Sequence, residues 1–322
     1  MKKESIFIYV SLSFAYTHIS KVVECKGALM YTRNTDELTR EYFDSIMVVP
    51  RYLDGDIPDI SIEFFGKKYN TPVMTAALSH LHNTCENGMC EYAKGALMAH
   101  ALHFVGMSED DEFDEIAAVG ADTVKIVKPH ADESVIFTKI ERAVKAGAVA
   151  VGMDIDHSIS SHGTYDNVMG LPMEPKTTEQ LESYVKAAGV PFIVKGVLSV
   201  DDAYKCVEAG AAGIIISHHH GIMDSMVPPL YMLPAIKKAV GDSLKIIVDC
   251  GFESGMDVYK ALALGADGVG IGRALMGPLK GGGEAVYKRI EEINCELKTV
   301  MARTGFKSVK DINSSALRFR TF

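Results

Sequence analysis

Several features are scarce in this chain of 322 residues, and each scarcity narrows what it can be. There is no basic block: Lys and Arg total 33 against 42 Asp and Glu, for a formal charge of −9. Such a balance offers nothing to neutralise a phosphate backbone and argues against a nucleic-acid binder. Cysteines number six and are thinly spaced, which excludes a disulfide scaffold and suggests a reduced, cytoplasmic protein. Beyond the first twenty residues no apolar run is long enough to span a bilayer. That first segment, "MKKESIFIYVSLSFAYTHIS", sets Lys2 and Lys3 before an apolar run in the manner of a secretory leader. Glu4 in the basic region, the interspersed hydroxyls and the lack of a small-x-small cleavage site favour a surface segment packed on the domain instead. No interdomain linker and no low-complexity tract divides the rest.

What is present is one unit, repeated. "DAYKCVEAGAAGIIIS" (202–217) and "DVYKALALGADGVGIG" (257–272) are identical at seven of sixteen positions, and "EIAAVGADTVKIV" (115–127) and "RAVKAGAVAVGMD" (142–154) are looser copies. Each reads as a helix, a Gly-Ala stop and a short apolar run, the αβ unit of a parallel sheet buried on both faces. Eight such runs occur, at 72–77, 101–106, 123–127, 148–154, 191–195, 213–217, 245–249 and 268–272. Eight units in this length predict a TIM barrel, an α/β (β/α)8 fold forming a single domain. Residues 1–70 would form an N-terminal extension, 71–303 the barrel with its last helix at 283–303, and 304–322 a C-terminal tail.

A barrel of this kind does its chemistry at the C-terminal ends of its strands. Those ends here carry Thr75, Ala76 and Ala77; Met107 and Ser108; Lys125; Asp154, Asp156 and His157; and Lys195. Beyond them come Ser217 with His218, His219 and His220; Asp249 and Gly251; and Gly272 with Arg273. Titratable groups gather where the fold puts an active site. "DCGFESG" (249–255) and "GIGRA" (270–274) place small residues and backbone N–H groups at the last two strand-to-helix turns, a phosphate site to which Arg273 adds a bidentate donor. Glycines that only make tight turns are the plainer alternative, but these recur at the position a barrel reserves for phosphate. Lys195 should enter the barrel mouth, where a buried ammonium needs an anion: a reduced cofactor ring, or a structural partner among Asp154, Asp156 and Asp249. The two are compatible.

Together these residues resemble the FMN-dependent α-hydroxy-acid oxidases and dehydrogenases, the glycolate oxidase family. The resemblance covers most of the chain and is strongest over 187–279, in "PFIVKGVLSVDDAYKCVEAGAAGIIISHHHG" and "IIVDCGFESGMDVYKALALGADGVGIGRALMGPL". "FDSIMVVPRYL" (43–53) and "PVMTAAL" (72–78) match more weakly. The resemblance implies an FMN enzyme in which the backbone at Thr75–Ala77 lines the flavin and Ser108 contacts the ring system. Lys125 stands where the family usually has Gln, and Asp154 where it usually has Thr. Lys195 would stabilise the reduced flavin, Ser217 would line the cofactor, Asp249, Gly251, Gly272 and Arg273 would hold the ribityl phosphate, and His219 would be the acid/base. An oligomer is also implied, since the family often forms tetramers.

The chain departs from the family at the substrate. The motif His-Gly-Gly-Arg reads His219-His220-Gly221-Ile222, and a second arginine falls at about His162. The tyrosine after the third strand becomes Val127, the tyrosine of the extension has no match, and one phosphate-binding arginine becomes Glu253. A 2-hydroxy acid needs a cationic clamp for its carboxylate, which Ile222 cannot supply. The expectation is therefore an FMN-dependent oxidoreductase passing hydride between flavin N5 and a small molecule that need not be a 2-hydroxy acid, with an unspecified electron acceptor. The alternatives are a flavin-dependent isomerase of a phosphorylated substrate and a non-catalytic flavin-binding barrel. If the strand continues, His218 and His220 point away from His219, so the three do not chelate one metal. His80, His82, Cys85 and Cys90 in "HLHNTCENGMC" (80–90) match no strong zinc spacing and read as a loop entering a helix.

Overall fold

The computed structural model describes residues 22–25, 28–31 and 34–320. The expectation of a surface segment at the extreme N-terminus falls outside them. Eight parallel strands close into a barrel in chain order: β1 (Val73–Leu78), β2 (His103–Val105), β3 (Thr123–Val127), β4 (Ala150–Asp154), β5 (Phe192–Val197), β6 (Gly213–Ile216), β7 (Lys245–Val248) and β8 (Gly268–Ile271). The ring is sealed where Val269, Gly270 and Ile271 of β8 pair with Val73, Met74 and Thr75 of β1. This is the expected (β/α)8 barrel.

Local chemistry starts and stops the helices. Asn34 caps α1 (Thr35–Ser45), which precedes the barrel. Around the barrel run α2 (Gly88–Ala99), α3 (Asp110–Ala118), α4 (Glu133–Lys145), α5 (Thr178–Ala188), α6 (Val200–Glu208), α7 (Pro229–Val240) and α8 (Gly255–Ala263). Capping boxes open α5 (Thr177 with Gln180) and α8 (Ser254 with Asp257), each satisfying two orphan N–H groups. The short α9 (Arg273–Leu279) and the long α10 (Gly282–Thr304) follow the last strand, and the chain runs on to Leu317–Phe319, which pairs antiparallel with Ile46–Val48.

The core has two layers. Met74, Phe104, Val124, Ile126, Ala150, Ile193, Ile215 and Ile247 fill the barrel interior, and Ile62, Phe64 and Tyr69 of a hairpin before β1 pack with them. The outer layer, between strands and helices, holds the alternate strand residues, among them Val73, Val105, Val127 and Val151. This inward–outward alternation decides which strand-end residues reach the mouth.

Candidate active site

Two or four residues beyond the interior layer, the inward positions become polar. From Ile126 the alternation leads to Lys128, from Ala150 to Asp154, from Ile193 to Lys195, from Ile215 to Ser217 and from Ile247 to Asp249. Lys195 and Asp154 are each about 4% exposed. The Lys195 ammonium donates to Asp154 Oδ1 at 3.0 Å, and Lys128 donates to Asp154 Oδ2 at 2.7 Å. Burial alone would raise the Asp154 pKa, but the two ammonium groups and His219 hold it well below the usual carboxylate range. Burial likewise works against the Lys195 charge, and Asp154, Asp156 and Asp249 overcome it to push its pKa up.

The three consecutive histidines have three environments. β6 ends at Ile216, and His219, His220 and Gly221 all take left-handed φ values, so the strand alternation expected across them does not apply. His218 is fully buried: its Nδ1 accepts from the Gly221 N–H at 3.2 Å, so its Nε2 donates to Thr39 Oγ1 of α1 at 2.8 Å. His220 lines the cleft, and burial with Arg273 nearby lowers its pKa to about 4. His219 turns into the charged layer, with Nδ1 3.1 Å from Asp156 Oδ1, 3.5 Å from Asp154 Oδ1 and 3.0 Å from Lys195 Nζ. Burial lowers its pKa, and the two carboxylates more than reverse this, so the net shift is upward. Its Nε2 meets His157 Nε2 at 2.9 Å, and His157 Nδ1 lies 3.3 Å from Asp166 Oδ2.

Gly196 makes room for this arrangement. It bulges β5 between Lys195 and Val197 with φ +94°, and a Cβ there would lie 2.7 Å from the Asp156 carboxyl carbon. The other Asp156 oxygen, Oδ2, is buried without a hydrogen-bond partner.

A cleft runs from this layer to the ends of β7 and β8. Ala76, Ala77, Lys195, Ser217 and His219 line it together with Asp249, Cys250, Gly251, Gly272 and Arg273. α1 packs beside Gly251 and Arg273. Asp36 takes both guanidinium nitrogens of Arg273 at 2.6 and 2.9 Å, and Gly251, at φ +83°, would press a Cβ to 2.8 Å from Thr39. An outer cleft of about 580 Å³ continues past Gly251, Glu253 and Arg273 and brings in Arg40 and Arg289. Arg289 of α10 donates to the Glu253 carbonyl at 2.7 Å. It places a second guanidinium beside the turn where the sequence shows Glu253.

Four of the expected cofactor contacts stand outside the cleft lining: Thr75, Ser108, Lys125 and Asp154. Asp154 sits beneath Lys195. Thr75 has its side chain in the outer layer, its hydroxyl 2.6 Å from His103 Nδ1. Lys125 stands apart from the cleft. Val124 and Ile126 face the interior, so Lys125 faces outward, over the Phe113 ring of α3 and on Gly106 O and Ser108 Oγ. Its neighbour Lys128 takes the inward place. The sequence reading missed Lys128, Asp36 and Arg289. A lysine three residues after Lys125 was the one available signal for the first; nothing local marks the others.

Asp154, Asp156, His157 and His219 offer metal-ligand atoms within 4.8 Å of one another, the one such group among the described residues. The Lys195 and Lys128 ammonium groups already neutralise Asp154, and Lys195 also meets His219 Nδ1, so a metal ion would be placed against fixed positive charge. His80 and His82 stand with ring centroids 6.1 Å apart on the loop before α2.

The donor set fits a phosphorylated flavin: one cleft holds the Arg273 guanidinium, the small-residue turns at Gly251 and Gly272, the Lys195 ammonium and apolar Ala76 and Ala77. A profile of the FMN-dependent dehydrogenases matches residues 26–187 and 174–319. L-lactate oxidase of Lactobacillus jensenii is 31% identical over 311 residues, covering 86% of this chain and 76% of that protein. Glycolate oxidase of Spinacia oleracea is 28% identical over 315 residues, covering 86% and 85%. The crystal structure of mandelate oxidase superposes with a TM-score of 0.82 at 27% identity, covering 90% and 93%. So does an arginine-to-leucine variant of mandelate oxidase with 2-hydroxy-phenylacetamide, with a TM-score of 0.82 at 28% identity, covering 90% and 92%. The chain is thus an FMN-dependent oxidoreductase and belongs to the FMN-dependent dehydrogenase family.

Proposed function

We propose that the chain oxidises a small 2-hydroxy compound, with His219 as acid/base, Lys195 as the electrostatic partner of the flavin ring and Arg273 as the phosphate anchor. FMN supplies the hydride acceptor. The observation that carries the reading is His219 held by Asp156 on Nδ1, beside buried Lys195, in a cleft that ends on Arg273. Asp156 fixes the ring and favours its protonated form, which suits Nε2 to receive the substrate hydroxyl proton. The substrate hydroxyl takes the place on Nε2 where His157 now stands. Gly251 and Gly272 bring bare backbone to the cleft wall beside Arg273, and because Asp36 takes both terminal nitrogens of Arg273, a phosphate engages that guanidinium in competition with Asp36.

The same reading extends to the substrate's acid group. Among the described residues Arg273 is the one arginine lining the inner cleft, and Asp36 already pairs with it. Ile222 is a partly exposed apolar side chain on the loop after β6. A carboxylate there finds no guanidinium fork, so uncharged 2-hydroxy amides and esters compete on equal terms with 2-hydroxy acids. The mandelate oxidase variant with 2-hydroxy-phenylacetamide supports that class. Among the described residues no helix is long and apolar enough to cross a membrane. Work as a homo-oligomer in the cytoplasm is part of the proposal, and light scattering of the purified protein tests the first half of it.

The test is anaerobic mixing of the FMN-loaded protein with matched 2-hydroxy acids and their amides, following the visible flavin bands. Bleaching by an amide at least as fast as by its acid supports the reading. Bleaching by neither class, or unchanged bleaching in His219→Ala, removes it.

A further inference from the structure

The cation that faces the flavin cleft is not a free charge. Lys195 Nζ lines the cleft, and 3.0 Å beneath it lies Asp154 Oδ1, in a carboxylate as buried as the lysine itself. Asp154 is in turn shared with Lys128, whose Nζ is 2.7 Å from Oδ2. Asp249 lines the same cleft, and Asp156 reaches it through His219. Two ammonium groups thus share one nearly buried carboxylate at ion-pair distance, Lys195 on Oδ1 and the partly exposed Lys128 on Oδ2.

We propose that Asp154 is a charge-compensating residue that withholds part of the Lys195 field from bound FMN, and so sets the flavin's reduction potential below the value Lys195 alone would give. Reduction delivers negative charge to the ring. A bare ammonium beside it favours that charge; an ammonium already neutralised by a buried carboxylate favours it less. Lys128 acts in the opposite sense, by drawing on the same carboxylate through its other oxygen. Asp154 is a positioning residue, acting through Lys195, and the inference rests on the placement of FMN in this cleft.

Midpoint potentials of the FMN-loaded protein, measured against a reference dye, test the inference without any substrate. Asp154→Asn keeps the oxygen that accepts from Lys195 and removes only the charge. The potential is expected to rise by the equivalent of at least tenfold in the two-electron equilibrium, about 30 mV, and sulfite, whose addition to the ring also brings negative charge, is expected to bind at least tenfold more tightly. Lys128→Met is expected to move both readings the other way. An unchanged or lower potential in Asp154→Asn overturns the inference. Should that variant fail to retain FMN, Lys128→Met decides: a potential that does not fall overturns it equally. A wild-type protein that shows no perturbed flavin spectrum with FMN would fail the placement of the cofactor instead, before any variant is compared.

Discussion

Lys195→Met isolates the buried pair at the centre of the site. Two unit charges 3.0 Å apart attract by about 5.5 kcal/mol at an effective dielectric of 20, before desolvation is subtracted. Removing one partner of a buried pair costs about 3–5 kcal/mol, because the other is left as an uncompensated buried charge. Asp154 keeps Lys128 at 2.7 Å, so the lower end, about 3 kcal/mol, is the expected loss. The assay is urea denaturation at pH 7: the midpoint should fall while the slope with denaturant stays constant. In Asp154→Asn/Lys195→Met the stranded charge is gone, and the double variant should recover about 2 kcal/mol relative to the sum of the singles. The sign with pH follows from the depressed Asp154 pKa. Its contribution is present above the carboxyl's unfolded value and is lost as pH falls through the folded one, so the difference between wild type and Lys195→Met should shrink in acid. Additive single losses, or a Lys195→Met cost under about 1 kcal/mol, would refute a tightly coupled pair.

Three further outcomes are expected. Arg273→Ala should weaken FMN binding about tenfold, measured by quenching of flavin fluorescence, a modest figure because the side chain is 43% exposed. Gly196→Ala meets both a left-handed φ and the Asp156 carboxyl, so it should destabilise by about 1–2 kcal/mol and lower the His219 pKa, read by NMR titration of labelled histidine. Burial holds His103 neutral with its pKa near 3, whereas the unfolded chain protonates near 6.5; stability is therefore complete above pH 6.5 and falls on acidification, by up to about 5 kcal/mol from this group, and a His103→Leu variant should show a shallower acid slope in urea melts than wild type.

The repeated helix–Gly-Ala–strand unit determined the barrel without help, because each unit carries its own stop signal and its own apolar strand. The sequence also determined that Lys195, His219, Asp249 and Arg273 would gather at one face, since each ends a strand and the closed ring brings strand ends together. What it left open is how neighbours divide. β3 is buried on both faces, so its composition does not reveal which side is the interior; only the packed barrel puts Lys125 against Phe113 and Lys128 on Asp154. The three histidines look equivalent in sequence, and the left-handed turn at His219 and His220 sends one to Thr39, one to the carboxylates and one to the cleft. Asp36, Thr39 and Arg289 reach the site from α1 and α10, more than 200 residues apart in the chain. Such contacts depend on how helices dock on a closed sheet, and no local pattern of residues encodes that distance.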